Sequence, residues 1–100
     1  MIKHIVFFRM QPEANGGSAA ENAEALVAML RALPFTIPEI VSLEVGNNFC
    51  RTAAAWDIAL YSEFRTREDL AVYQSHPEHV RVKDFVGVTT SERAVVDYEV

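Results

Sequence analysis

The most informative segment is the N-terminal one, Met1-Ile-Lys-His-Ile-Val-Phe-Phe-Arg-Met10. Successive side chains of a β-strand point to opposite faces. One face of this segment would carry Ile2, His4, Val6, Phe8 and Met10, and the other would carry Lys3, Ile5, Phe7 and Arg9. Both faces are apolar in the middle, whereas a strand with one face in water alternates between apolar and polar residues. The pattern therefore predicts a strand in the centre of a sheet that is covered on both faces.

Three helices are predicted after this strand. Ser18 to Glu21 and Thr66 to Asp69 each place a hydroxyl three residues before a carboxylate, which is typical of a helix start. The first helix would end at Pro34, and its apolar stripe at helical spacing is Ala23, Leu26, Leu30 and Leu33. Pro77 would start the third helix, whose inward side carries His79, Val82 and Val86.

Three further segments have the pattern of strands: Ile40 to Val45, Ala55 to Phe64 and Arg93 to Val100. The first two are neighbours in sequence, so we expect an antiparallel hairpin. In the Ala55 to Phe64 segment one face would carry Trp56, Ile58, Leu60, Ser62 and Phe64. The order strand, helix, strand, strand, helix, strand predicts an α+β chain of the ferredoxin-like βαββαβ type, with a four-stranded antiparallel sheet and its helices on one face.

Length and composition indicate one domain over residues 1–100, paired with a second copy. Half of the 100 residues are apolar, which is a high share for a chain with so much surface for its volume. The helices can cover one face of the sheet only, and the second face needs a partner. The simplest partner is a second copy related by a two-fold axis, so we expect a homodimer.

The same composition argues against several classes of protein. The net charge of −5 does not suit a nucleic-acid binder that relies on a basic face. No segment approaches the roughly 20 apolar residues of a membrane span, and Arg9 interrupts the N-terminal run that a signal peptide would need. The single Cys50 forms no intramolecular disulfide and fits a reducing compartment. We therefore expect a cytoplasmic protein without nucleic-acid or membrane partners, and we find no phosphate-binding motif that would indicate a cofactor.

Two histidines and a tyrosine are the candidate catalytic residues. If the second and third helices lie over the first strand, His4, Tyr73 and His79 meet in one apolar pocket. A histidine there could act as a general base, and the tyrosine hydroxyl could orient a phenol or an enolate. For any acid–base chemistry we expect His79 to be the base, with His4 and Tyr73 as orienting residues. Apolar residues of the same elements would bind a small apolar or aromatic molecule: Leu26, Leu30, Phe8, Val82 and Val86.

Each of these residues also has a structural interpretation. His4 and His79 could be packed core residues whose ring nitrogens are satisfied by hydrogen bonds. His76 and His79 are three residues apart, a spacing found at metal sites, but a site would need a third ligand and Pro77 constrains the backbone between them. A helix-capping role for His76 is favoured, and no metal site is predicted.

Five segments, in order along nearly the whole chain, resemble the stress-responsive A/B barrel (Dabb) family. They are Lys3-His-Ile-Val, Ile37-Pro-Glu-Ile-Val-Ser-Leu-Glu-Val-Gly46, Asp57-Ile-Ala-Leu-Tyr-Ser-Glu-Phe64, Tyr73-Gln-Ser-His-Pro-Glu-His79 and Arg93-Ala-Val-Val-Asp-Tyr98. The most specific of them is the Tyr-x-x-His-Pro-x-His run.

The resemblance implies a ferredoxin-like subunit that pairs into a dimeric α+β barrel. Many bacterial members have no assigned activity, while similar plant members include polyketide cyclases that use aldol chemistry without a cofactor. The resemblance matches the catalytic histidine of those cyclases to His79, their second pocket histidine to His4 and a pocket tyrosine to Tyr73. Leu26 stands near the position where they carry a further tyrosine. The wider superfamily also holds cofactor-independent monooxygenases, and a non-enzymatic, stress-linked dimer is the remaining alternative.

Overall fold

The computed structural model describes residues 1–100 and has an antiparallel four-stranded sheet with helices packed on one face. In chain order the elements are β1 (Ile2–Met10), β2 (Glu13–Ala14), β3 (Gly17–Ser18), α1 (Ala19–Ala32), a 3₁₀ turn (Leu33–Phe35), β4 (Ile40–Asn47), β5 (Ile58–Phe64), α2 (Arg67–Ser75), α3 (Pro77–Thr89) and β6 (Thr90–Glu99). The short β2 and β3 form a separate two-stranded hairpin. None of the helices is both long and apolar enough to cross a membrane.

The central position of β1 is confirmed. The strand order is β4-β5-β1-β6, and β1 pairs antiparallel with β5 on one side and with β6 on the other. Strands β4 and β5 form the predicted antiparallel hairpin. This is the ferredoxin-like arrangement that the order of elements predicts.

Both predicted cap sequences begin helices. Ser18 Oγ accepts a hydrogen bond from the Glu21 amide at 3.1 Å, and the Glu21 carboxylate accepts one from the Ser18 amide at 2.9 Å. Thr66 Oγ1 accepts from the Asp69 amide at 3.0 Å at the start of α2. These bonds satisfy amides that the first turn of a helix leaves free.

The two faces of β1 differ in burial. Ile2, Val6 and Phe8 on one face are at most 4% exposed, because α1 and α3 pack over them. On the opposite face Phe7 is 40% exposed, its neighbour Ala59 is exposed and its neighbour Ala94 is partly exposed. We call this second surface the open sheet face and define it by Ile5, Phe7, Tyr61, Val96 and Tyr98, which lie opposite one another or alternate along β1, β5 and β6.

Several details of the predicted strands are wrong. Strand β5 begins at Ile58 instead of Ala55. Asp57, just before it, still bonds to the strands on both sides: its amide donates to the Phe8 carbonyl at 2.8 Å, its carbonyl accepts from the Asn48 amide at 2.8 Å, and its carboxylate accepts from the Met10 amide at 2.7 Å. Trp56 lies on the open side, where its ring packs on Phe7 (6.4 Å between ring centroids) and on the Arg9 guanidinium (4.3 Å).

A second error concerns β4, which also extends beyond the predicted Val45 to Asn47. Alternation from the sequence places Ile40 opposite Val45, but the pairing with β5 shifts register between Ile40 and Ser42. Such a bulge adds one residue and reverses the alternation beyond it. Ile40 and Val45 are therefore both buried on the helix side, and Val41 is exposed.

Strand β6 is longer than predicted, since it begins at Thr90, directly after α3. It is the edge strand beside β1, and most of its side chains are exposed. Its register nevertheless places Arg93 opposite Phe8 and Asp97 opposite His4, on the helix side of the sheet.

Candidate functional site

His4 is held in place by a carboxylate from the neighbouring strand. The residue is 3% exposed on the helix side of β1, and its Nδ1 lies 2.5 Å from Asp97 Oδ1 of β6. A carboxylate accepts hydrogen bonds, so Nδ1 is the donor toward Asp97, and Nε2 takes no part in this bond. This is the geometry of a ring oriented to accept a proton or a hydrogen bond at Nε2.

Tyr73, near the end of α2, and His79, near the start of α3, form a stacked pair. Their ring centroids are 4.0 Å apart at an angle of 26°, and Tyr73 also meets the His4 ring edge-on at 5.9 Å. The three side chains that the sequence analysis grouped are thus brought together. The break between α2 and α3 makes this contact, because His76 ends one helix and caps the next by accepting from the Glu78 amide at 3.1 Å.

Burial sets the electrostatics of the stacked pair. The pKa of His79 is lowered to about 4, mainly by burial and to a smaller extent by the Lys83 ammonium and by His4; the backbone of Gln74 and of Tyr73 opposes this only in part. Burial also raises the pKa of the Tyr73 hydroxyl above its ordinary value. Both side chains are therefore neutral at pH 7.

Two polar atoms of this pair make no hydrogen bond, the Tyr73 hydroxyl and His79 Nδ1. Buried polar atoms are nearly always paired in native proteins, since leaving one unpaired costs on the order of 1–3 kcal/mol. The backbone of Gln74 and Tyr73 nevertheless lies close enough to His79 to raise its pKa. The unpaired Nδ1 is typical of a ring that binds a ligand, while the backbone interactions are typical of a packed structural ring.

A cavity of about 580 Å³ lies beside the histidines, between β1, α3 and β6. His4 and His79 line it, together with four of the five residues that the sequence analysis expected to bind a ligand: Phe8, Leu30, Val82 and Val86. The volume is within the range of small-molecule sites. The cavity opens to solvent beside the exposed Ser91 and Glu92.

The two remaining predicted site residues do not reach the cavity. Leu26 is fully buried in the core, and Tyr73 is also 0% exposed and lies behind His79. Tyr73 can thus support the His79 ring through stacking, but its hydroxyl does not face the cavity in this structure.

Several cavity residues were missed by the sequence analysis. Lys83 and Gly87 follow His79 at intervals of four along α3, so helical spacing from His79 could have identified both. Arg93 of β6 also lines the cavity. No local pattern marks it, because its position depends on the pairing of β6 with β1.

A second, shallower depression of about 830 Å³ lies on the open sheet face. Phe7, Tyr61 and Trp56 line it, along with the segment that joins β4 to β5. It contains no histidine and lies on the side of the sheet away from His4 and His79. We regard it as part of the uncovered apolar surface.

No group of three or more His, Cys, Asp or Glu side chains is arranged to hold a metal ion. The Nδ1 atom of His76, the candidate partner of His79 in such a site, already accepts the bond that caps α3.

Comparison with protein families gives a match over residues 2–100 to the family described as the stress responsive A/B barrel domain. A curated stress-response A/B barrel domain-containing protein of Arabidopsis thaliana is 31% identical over 83 residues. That alignment covers 82% of this chain but only 30% of the plant protein, so the chain spans about a third of that relative's length.

Solved structures share the fold. A dimeric protein of unknown function with a ferredoxin-like fold, from Bacteroides fragilis, is 36% identical, with a TM-score of 0.86 over 99% of this chain and 95% of that one. The hydroxynitrile lyase of Passiflora edulis has a TM-score of 0.80 at 20% identity, over 99% of this chain and 92% of the lyase. At that identity the second likeness concerns the fold alone.

Proposed function

The chain belongs to the stress-responsive A/B barrel domain family, and on this premise we propose that it is a homodimer that binds a small, largely apolar or aromatic molecule in the cavity between β1, α3 and β6. The observation that carries the proposal is the convergence of His4 and His79 on one cavity whose inner wall includes Phe8, Leu30 and Val82. Apolar walls with a few polar groups that fix orientation are typical of small-molecule sites.

The dimer is supported by the open sheet face. Phe7, Val96 and Tyr98 are each at least 40% exposed on that face, and contiguous apolar surface of this kind marks an interaction site. The Bacteroides fragilis protein, which shares the fold, is dimeric. Pairing through this face leaves the helix side, and with it the cavity, accessible to a ligand.

Ligand binding can be tested by filling the cavity. Gly87 lines it, and a Cβ atom added at Gly87 would meet no atom within 4 Å, so a larger side chain can begin there without a clash. Gly87→Leu should reduce the affinity for the probe 2-naphthol at least about tenfold, because the side chain occupies the space of the ligand. Binding would be measured by fluorescence titration.

The matched control is Val88→Leu, since Val88 is half exposed and lies outside the cavity. It should bind 2-naphthol like the wild type. Leucine favours helix more than glycine does, so Gly87→Leu should not unfold the chain. The proposal is wrong if the wild type does not bind the probe, or if Gly87→Leu binds it equally well.

A second candidate is a cofactor-independent enzyme that uses acid–base chemistry at the same cavity. The bond between Asp97 and His4 favours it, because it leaves Nε2 of His4 free to accept a proton. We assign the base role to His4 rather than to His79, whose low pKa makes it a weak proton acceptor. His79 would then hydrogen-bond the substrate as a neutral ring, and Tyr73 would hold it by stacking.

The enzymatic candidate predicts proton abstraction next to a carbonyl. The wild type should catalyse exchange of the methyl protons of 2-acetylnaphthalene with deuterium from the solvent, followed by NMR. His4→Gln should slow this exchange at least about 100-fold, while 2-naphthol binding is retained. Exchange at the uncatalysed rate in the wild type, or unaltered exchange in His4→Gln, would exclude this role.

A further inference from the structure

The polar rim of the cavity is positively charged. Lys83 on α3 and Arg93 on β6 both line it, and neither forms an ion pair with an acidic side chain. The Lys83 ammonium instead donates to the Gln74 carbonyl at 2.6 Å. The cavity rim therefore carries two cationic side chains that still have N–H groups free to donate to a ligand.

The acidic residues that could neutralise this rim have other partners. Glu92, which also lines the cavity, accepts from Arg9 at 3.1 Å. Asp97 is bonded to His4. The two histidines add no negative charge, so the opening carries two positive charges and one acidic side chain that is already paired.

From this arrangement, and resting on the proposed function, we propose that the ligand is an amphipathic monocarboxylate whose carboxylate lies between Lys83 and Arg93 and whose aromatic or aliphatic body extends toward Phe8, Leu30 and Val82. A guanidinium and an ammonium are the side chains that hydrogen-bond a carboxylate most strongly. The chain's net charge of −5 disfavours ligands of high negative charge, whereas a single carboxylate meets a local excess of cations.

The position of Lys83 also links carboxylate binding to the pKa of His79. Its ammonium is close enough to His79 to lower the pKa of that ring. A bound carboxylate would offset this effect, so the ligand's own charge would make His79 a better hydrogen-bond and proton acceptor.

The test compares two ligands of nearly the same shape, 2-naphthoate and the neutral 2-naphthamide, by calorimetric titration at pH 7. The wild type should bind 2-naphthoate about tenfold more tightly, and raising the salt concentration should weaken only the naphthoate complex. Arg93→Gln and Lys83→Gln should each remove most of this preference and leave naphthamide affinity within about twofold.

The matched control is Arg81→Gln. Arg81 is an exposed cation on the same helix that lies outside the cavity and 4.0 Å from Glu78. It should leave both affinities unchanged. Since Lys83 also connects α3 to α2 through Gln74, Arg93→Gln is the decisive variant if Lys83→Gln lowers the melting temperature.

The outcomes separate the two proposals. Equal wild-type affinity for both ligands, with naphthamide binding blocked by Gly87→Leu, overturns the carboxylate site and leaves the cavity function standing. A naphthoate preference that survives Arg93→Gln overturns the assignment to this rim. Failure of both ligands to bind overturns the cavity function and the carboxylate site together.

Discussion

Among the titratable residues that line the cavity, His79 is the one whose pKa the fold alters most. Its ring is buried against Tyr73, has an unpaired Nδ1 and lies near the Lys83 ammonium. Each of these features disfavours a protonated imidazolium in the folded chain. A ring held neutral beside a cavity suits ligand recognition, and it also has a consequence for stability.

The free energy of unfolding should fall as the solution is acidified from about pH 6.5 to about pH 4. His79 has a pKa of about 4 in the folded chain and 6.5 ordinarily, so between these values only the unfolded chain binds the proton. Stability contributed by neutral His79 is therefore present above pH 6.5, is lost as the pH falls, and changes no further below pH 4. One proton accounts for at most about 1.4 kcal/mol per pH unit.

Urea unfolding of the wild type and of His79→Phe at pH 7 and at pH 5 measures this effect. Phenylalanine keeps an aromatic ring against Tyr73 but does not titrate. The variant should lose less stability between the two pH values than the wild type does. An equal loss in both proteins would show that His79 is not held neutral by burial.

Two elements place the site, and they differ in how far sequence reasoning could describe them. The break between α2 and α3 is visible in the sequence, because Pro77 favours the first turn of a helix and His76 can cap that helix. The break brings Tyr73 at the end of α2 near His79 at the start of α3. For β6 the sequence predicted only a strand, from the alternation of its side chains. Its register against β1 brings Asp97 to His4 and Arg93 to Phe8, and a pattern within one strand does not contain the register of its neighbour.

The proposed pairing of two copies accounts for the apolar half of a chain of 100 residues. The helix-side core uses one face of β1, β5 and β6, and the open sheet face exposes the remaining apolar side chains. Lys3 and Glu63 form an ion pair at the margin of this face, joined by Ser42 and Tyr61. A polar margin around an apolar centre is the usual composition of a protein interface.

Phe7→Glu should convert the protein into a monomer, because a carboxylate at the centre of the apolar face would be buried without a partner. Sedimentation equilibrium at micromolar concentration should give twice the chain mass of 11.2 kDa for the wild type and 11.2 kDa for the variant.

The control is Phe35→Glu, which adds the same charge at a phenylalanine that is 91% exposed in the turn after α1 and is not part of the open sheet face. It should remain a dimer. A wild-type monomer, or dissociation by both substitutions, would contradict pairing through the open sheet face.

Local patterns were enough to predict the order of elements, the two capped helix starts, the two-faced β1 and the grouping of His4, Tyr73 and His79. Most of these features depend on residues within a few positions of one another, whose spacing sets which side of a helix or strand they occupy. The grouping of His4 with Tyr73 and His79 depended in addition on the predicted fold, in which helices lie over the first strand. Pairings between distant segments were decided only by the folded chain: the bulge at Ile40, the displacement of Trp56, the bond from His4 to Asp97, and the positive rim of Lys83 and Arg93. Each of these depends on strand register or on helix position over the sheet, which packing of the whole chain determines.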